Sequence, residues 1–383
     1  MKMSKKNKLN FIDVFSGAGG ISCGLEMAGL NCILGIDHNK HAIETFKANH
    51  QNANSFCGDI TQLKNKDILE LVAGHQVHAV VGGPPCQGFS TVGIGDPNDT
   101  RNALFMHFVK IVKVTGPYFV IIENVTGMLA KKNEKTLRAI FRQFEKLGYN
   151  LDVQVMSSQN YGVPEKRRRT IILGTRINER PEFPSATHDT IIARTYRPSV
   201  TVAEAFRDLE CKKRGLLNHD IDMAQIKNST DLKRLKKIPE GKGIRYEKDE
   251  KAYLPPSLRL GVDWKNIREG RFRQTKYQRL DGSAPAPTIM THRHSYFHPT
   301  ENRYLTQREA AKIQSFPNDF EFKGPVSAQW RQIGNAVPPL LAKALGKSLL
   351  KMHKEALSKD SLGQKMKADR KKIHSIRKTA FVY

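Results

Sequence analysis

Ten residues near the N-terminus restrict the choice of fold more than any others. Phe11-Ile12-Asp13-Val14-Phe15 is a short, almost unbroken apolar run, the pattern of a strand buried on both faces of a parallel sheet. Ser16-Gly17-Ala18-Gly19-Gly20 follows at once, and then a helical pattern runs through Leu25 and Met27 to Gly29. Strand, glycine turn and helix in this order open a nucleotide-type βαβ unit, so the first half of the chain is predicted to be α/β.

A second strand, Cys32 to Ile36, ends at Asp37, where a carboxylate can accept hydrogen bonds from a ribose diol. The dinucleotide pattern G-x-G-x-x-G fails here. After Gly17 and Gly19 its third glycine is replaced by Ser22, and a pyrophosphate lacks its usual cradle. A glycine turn beside an early acid, Asp13, suits a cofactor with a zwitterionic amino-acid tail, namely S-adenosylmethionine. A tight turn in another α/β enzyme is the plainer alternative. A third acid, Asp59, closes the element Phe56-Cys57-Gly58-Asp59-Ile60. Arg101 to Val114 reads as an amphipathic helix, with Leu104, Phe105, Phe108, Ile111 and Val112 spaced three and four apart.

The apolar run Val77 to Val81 stops at Gly82-Gly83-Pro84-Pro85-Cys86-Gln87-Gly88-Phe89-Ser90. Paired prolines fix φ and donate no backbone hydrogen bond, so the strand ends abruptly and a thiol follows. In an α/β fold that thiol sits at the mouth of the sheet, where ligands bind. Gln87 and Ser90 beside it can hydrogen-bond a substrate. A buried structural cysteine is the ordinary alternative, but a core cysteine needs neither the rigid turn nor the polar stretch Gln87 to Asp99 after it. A further apolar strand, Phe119 to Ile122, ends at Glu123-Asn124-Val125. Cys86 and Glu123 thus lie at carboxyl ends of predicted parallel strands and can face one crevice.

The Cys86 stretch resembles the catalytic motif of the DNA cytosine-5 methyltransferases, and the resemblance runs through most of the chain in that family's order. The resemblance implies a Rossmann-like S-adenosylmethionine-dependent methyltransferase sheet with a second, smaller target-recognition domain. It implies that Cys86 is the nucleophile and Glu123 its partner. It places Phe15, Ser16, Gly17, Gly19, Gly20, Asp37, Asp59, Ile60, Pro85 and Leu104 at the cofactor, with Asp59 on the adenine. Asn160-Tyr161-Gly162-Val163-Pro164-Glu165-Lys166-Arg167-Arg168-Arg169 resembles the family's Gln-x-Arg-x-Arg motif, which gives Arg167 and Arg169 roles near the target nucleotide. Here the chain departs from the pattern, because Glu165 stands where the family usually has Gln. Tyr304 to Pro317 is similar to the motif that organises the recognition domain, and Thr306 and Glu309 have capping-box spacing. Gln332-Ile333-Gly334-Asn335-Ala336-Val337-Pro338-Pro339 is predicted to open a helix through Leu349. It is similar to the closing family motif, in which Asn335, Ala336 and Val337 touch the cofactor.

The chemistry explains why a thiol and a carboxyl are needed together. Carbon 5 of cytosine is a poor nucleophile. A thiolate added to carbon 6 makes it enamine-like and able to attack a methyl group, while a carboxyl group meets the charge developing at nitrogen 3. The base must leave the duplex stack to be reached, at a cost of a few kcal/mol. The glycine-containing loop Gln87 to Asp99 has the composition to close over it.

Composition bounds the partners. The chain has 383 residues, with 63 Lys and Arg against 37 Asp and Glu, a net charge of +26 that points to a polyanion, nucleic acid before a membrane surface. Five cysteines, an odd number and none in CxxC spacing, indicate a reducing, intracellular setting and no structural zinc or other metal. The Lys-rich start has no apolar core of a secretory signal, and no apolar run approaches a membrane span. Four regions are expected: residues 1–190 as catalytic and cofactor-binding domain, 191–325 as target-recognition domain and hinge, 326–350 as a returning helix, and 351–383 as a basic extension. Residues 180–290 show little helical periodicity apart from Val202 to Leu209, but Tyr253, Trp264, Phe272 and Tyr277 argue that they fold. The resemblance favours a bacterial, cytoplasmic modification enzyme acting on a specific double-stranded DNA sequence, with a restriction endonuclease for the same site. A tRNA cytosine-5 methyltransferase and a noncatalytic DNA-binding protein of the same fold are the alternatives.

Overall fold

A computed structural model describes residues 8–85, 100–178, 180–189, 196–210 and 215–358. The chain forms two compact units. The first runs to residue 161, resumes over 168–187 and is rejoined at 336, while the second comprises 162–167 and 188–335.

In the first unit β1 (Asn10–Val14), α1 (Gly20–Ala28), β2 (Asn31–Asp37), α2 (Lys40–Asn49), β3 (Asn54–Cys57), α3 (Asn65–Leu71), β4 (Ala79–Gly82), α4 (Thr100–Thr115), β5 (Phe119–Asn124), α5 (Glu134–Lys146), β6 (Asn150–Ser157) and β7 (Arg168–Thr175) follow in turn. The strands make one seven-stranded sheet in the order β3-β2-β1-β4-β5-β7-β6. Strands β1 to β5 pair in parallel, and β7 runs antiparallel between β5 and β6. This is the Rossmann-like α/β architecture expected from the sequence.

Strands β1, β2, β4 and β5 read as near-continuous apolar runs because both faces are covered. Successive residues point to opposite faces. Ile12, Val14, Val80, Val120 and Ile122 meet Phe105, Phe108 and Phe144 from α4 and α5. Phe11, Cys32, Val81, Phe119 and Ile121 join a separate cluster with Leu25 of α1. Phe108 and Phe144 are fully buried, and each stabilises the fold by roughly 2–3 kcal/mol.

The second unit carries β8 (His188–Asp189), β9 (Arg197–Pro198), α6 (Val202–Glu210), α7 (Ser229–Leu235), β10 (Ile244–Tyr246), α8 (Glu247–Tyr253), β11 (Arg271–Lys276), α9 (Gln307–Ile313) and α10 (Val326–Asn335). Strands β10 and β11 pair antiparallel. Ile238, Ile244 and Leu254 pack with Trp264 and Phe272, and Ile226 and Leu235 pack with Phe297. The stretch 180–290 therefore holds more helix than its periodicity predicts. The basic run from Leu232 lies mostly in α7, which starts where the Asn228 side chain accepts from Asp231 N at 2.9 Å. The predicted capping box at α9 is present: Thr306 Oγ1 accepts from Glu309 N at 3.2 Å and Glu309 Oε2 accepts from Thr306 N at 2.8 Å.

The chain then returns to the first unit as α11 (Pro339–Ser358). The single helix expected from Gln332 through Leu349 is in fact two. Gln332 to Asn335 close α10, and Pro338-Pro339 prevents continuation because neither residue donates a backbone N–H. α11 packs closely on α1. A Cβ on Gly24 would lie 2.2 Å from Pro339 O, and one on Gly346 would lie 2.7 Å from Ala28 Cβ. Among the described residues no helix is long and apolar enough to cross a membrane.

Candidate active site

Strand order reverses between β1 and β4, so the carboxyl ends of these strands flank the switch point at which such sheets hold ligands. The turn after β1 is shaped for close approach. Phe15, Gly17 and Gly19 all have positive φ, at 63°, 54° and 91°. Gly19 caps α1, whose first residue is Gly20, and a Cβ on Gly19 would lie 2.3 Å from His50 Nε2. His50 is itself held by Glu26, with Nδ1 and Oε2 2.7 Å apart.

Asp37 ties the turn to β2. Its Oδ2 accepts from Gly17 N and its Oδ1 from Asn39 N, both at 2.8 Å. A carboxylate has about four acceptor sites, so capacity for a diol remains.

Asp13 is fully buried below the turn, and its Oδ2 accepts from Ser22 Oγ at 2.6 Å. Ser22, the residue that breaks the dinucleotide pattern, therefore serves the acid. Burial pushes the Asp13 carboxyl up from 3.8 to about 7, against the opposing pull of the Ser22 hydrogen bond and the His50 charge. Asp13 Oδ1 and Ser16 Oγ are buried without hydrogen-bond partners among the described residues. An acceptor and a hydroxyl left unsatisfied beside a glycine turn fit a ligand with an ammonium and a carboxylate better than a bare phosphate.

The other candidate cofactor residues are distributed as follows. Asp59 is exposed and caps a short helical turn, with Oδ1 accepting from Thr61 N at 2.9 Å, a bond that lowers its pKa. Ile60 beside it is buried. Leu104 is half-buried against the core and Pro85 is exposed. Val337 is buried with Leu341, Ala336 is half-buried, and Asn335 is the exposed last residue of α10 in the second unit.

Around Glu123 the geometry is tight. Antiparallel β7 brings its first residues to the carboxyl end of β5, with Glu123 opposite Ile171. Arg169 Nε consequently lies 2.9 Å from Glu123 Oε1. The other carboxylate oxygen faces the end of β4, because a Cβ on Gly83 would be 3.0 Å from Oε2. Asn124 Nδ2 donates to Pro84 O at 3.0 Å, fastening the Pro-Pro turn to β5. Cys86, Gln87, Ser90 and the loop to Asp99 lie outside the described residues, as does the extension beyond 358. The last described residue before the thiol, Pro85, leaves this corner of the site.

Arg167 stands apart from Arg169. It is buried in the second unit, with Nη2 donating to Gly334 O at 2.8 Å and Nη1 3.9 Å from Glu165 Oε1. Sequence reasoning missed Ser22, Asn124 and His50. For Asn124 the signal was present, since an amide directly after Glu123 at a strand end can reach the neighbouring strand's turn. For Ser22 and His50 it was not, because their partners depend on how α1 and α2 pack.

The family model for C-5 cytosine-specific DNA methylase matches residues 9–351. Type II methyltransferase M1.HphI of Haemophilus parahaemolyticus is 36% identical over 350 residues, covering 90% of this chain and 87% of the relative. M.DdeI of Desulfomicrobium norvegicum is 32% identical, covering 89% and 88%. Among solved structures, a prophage-encoded protein of E. coli described as a DNA modification methyltransferase superposes with TM-score 0.61 at 26% identity, over 91% of this chain and all of that one. The S. pombe Dnmt2 methyltransferase superposes with TM-score 0.57 at 17% identity over 90% of this chain and 99% of its own, a likeness of fold.

Proposed function

Because the chain belongs to the C-5 cytosine-specific DNA methylases, and is of the Type II restriction-modification kind, we propose that it methylates carbon 5 of a cytosine flipped out of a specific duplex sequence, through a covalent bond to Cys86. S-adenosylmethionine, when bound, supplies an electrophilic methyl group. Gly17, Gly19 and Gly20 would let its amino-acid end approach the head of α1. Asp13 Oδ1 and Ser16 Oγ would offer it an acceptor and a donor, and Asp37, Asp59 and Ile60 would hold the nucleoside, with Phe15, Pro85, Leu104, Asn335, Ala336 and Val337 around it.

The chain's own residues carry the rest. The Cys86 thiolate adds to carbon 6 of the base, and the displaced electron pair makes carbon 5 nucleophilic. Glu123, carrying the proton on its carboxyl group, donates a hydrogen bond to nitrogen 3 of the ring, where negative charge builds. Arg169 fixes that carboxyl group by a 2.9 Å contact to one oxygen, and the other oxygen faces Gly83 at the end of β4. Once a base takes the carbon 5 proton, the electrons return and expel the thiolate, restoring the free enzyme. Gln87 and Ser90 contact the cytosine, and the loop after them closes over it. The +26 charge suits the phosphate backbone, a cytoplasmic setting suits the chemistry, and an endonuclease of the same specificity is the natural counterpart.

The observation that carries this reading is the Glu123–Arg169 pair at the end of β4, with Glu123 Oε2 beside Gly83 and the neighbouring Asn124 bonded to Pro84 O. Its test is Glu123→Gln in single-turnover methyl transfer. The rate falls by at least about 10² while cofactor affinity is kept. An unchanged rate removes Glu123 from the mechanism. Relatives named Type II methyltransferases at above 30% identity favour DNA over tRNA, and the intact Cys86 and Glu123 argue against a noncatalytic binder.

A further inference from the structure

Within the second unit, residues 164–167 and 286–289 lie side by side. Ala286 N donates to Pro164 O at 2.9 Å and Lys166 N to Ala286 O at 2.7 Å. Glu165, in place of the family's Gln, is fully buried and accepts from Ile289 N at 2.6 Å. Gly334, whose carbonyl receives Arg167, lies so close to residues 290 and 291 that a Cβ would be 2.6 Å from Met290 C and 2.7 Å from Thr291 N. The chain entering Thr291 is thus fixed along its length. The chain leaving is fixed as well: Tyr296 OH donates to Thr288 O at 3.1 Å, and Phe297 is buried, with its N–H on Gln278 O at 2.8 Å.

Between these anchors Thr291, His292 and His294 are exposed. Arg293 turns inward, its guanidinium 5.4 Å from the Tyr304 ring centroid and Nη1 donating to Met223 O at 3.2 Å. His294 meets the same ring edge-on at 5.1 Å, and the His292 ring lies 3.4 Å from Ser295 Oγ. Most exposed cations of this unit are of another kind. Lys233, Lys236 and Lys237 at α7, and Arg268 and Arg273 near β11, carry long side chains that suit phosphates.

We propose that the turn Thr291–Ser295 reads base edges in the target DNA, with His292 and His294 as specificity-determining residues and Arg293 as the positioning residue that braces them. The inference rests on the proposal that duplex DNA is the substrate. A base edge is told apart by paired donors and acceptors at fixed positions. A neutral imidazole offers one of each on a side chain with two rotatable bonds. Partial shielding from water, with the neighbouring Arg293 charge, holds His294 below the ordinary imidazole range, which favours that neutral form. A phosphate contact needs neither the directionality nor the bracing.

The test is a randomised duplex library methylated by the full chain with S-adenosylmethionine, in which methylated cytosines are read by conversion sequencing. Wild type, His292→Ala, His294→Ala and Lys236→Ala are compared at two salt concentrations. The wild type gives one consensus. At least one histidine variant relaxes it at one or two base pairs, accepting a formerly rejected base about tenfold more often. Lys236→Ala lowers methylation at all sites alike and reduces the salt slope by about one. If both histidine variants keep every position of the consensus, at full or uniformly reduced rate, the turn is not a reader. If the wild type methylates no duplex site, the substrate reading itself fails, and this inference with it.

Discussion

Replacing Asp13 by Asn removes a charge that burial disfavours and keeps a side-chain oxygen for Ser22 Oγ. In the folded chain the Asp13 carboxyl is raised from 3.8 to about 7, chiefly by desolvation. A shift of one unit corresponds to about 1.36 kcal/mol, so the full penalty is about 4 kcal/mol. The sign is opposite to that of a salt-bridged acid. Below pH 4 both states carry the proton and nothing is lost. Between pH 4 and 7 the unfolded chain has released a proton that the folded chain retains, so rising pH favours unfolding. Above pH 7 the penalty is complete. Between pH 5 and 8 the wild type should therefore lose roughly 2.5 kcal/mol relative to Asp13→Asn, from the same linkage relation. Urea unfolding of both proteins at pH 5, 6, 7 and 8 measures the difference, since every other titrating group is common to the two. A difference that stays flat within about 0.5 kcal/mol over this range refutes the burial argument.

Two further changes probe the turn and the catalytic pair. Gly19→Ala forces a side chain into a left-handed conformation and against His50, so cofactor affinity measured by calorimetry falls by about tenfold or more; an unchanged affinity means the turn does not hold the cofactor. Arg169→Ala leaves the Glu123 carboxylate without its guanidinium and lowers the single-turnover rate by about 10² with DNA affinity nearly unchanged, and Arg169→Lys restores only part, because a point charge does not reproduce the planar fork. A rate within a factor of about three of wild type shows that Glu123 needs no such support.

The parts of the fold that could be read directly are those where burial is symmetric. β1, β2, β4 and β5 are covered on both faces and appear as apolar runs, and β2, β4 and β5 end at Asp37, Gly82 and Asn124, an acid, a glycine and an amide that the sheet presents at one edge. β6 is less legible, because Asp152 and Gln154 interrupt it. α7 and α8 have seven residues each, too few for a helical period to show. The break at Asn335–Pro338 was written in its prolines. At the site, Glu123 was legible as a strand-end acid, whereas its pairing with Arg169 follows from the antiparallel insertion of β7, a property of topology rather than of local sequence. Arg167 and Arg169 look equivalent in the sequence, yet one is buried against Gly334 and the other faces the carboxylate.

The covalent role of Cys86 is tested most directly by intact-mass analysis after mixing the protein with S-adenosylmethionine and duplex DNA carrying 5-fluorocytosine at many sites. Fluorine cannot leave as a cation, so an enzyme that has joined its thiol to carbon 6 and methylated carbon 5 stalls on the base. The expected result is a cofactor-dependent adduct that maps to Cys86 and is absent from Cys86→Ala. An adduct mapping elsewhere, or product formed on ordinary cytosine by Cys86→Ala, would contradict the mechanism.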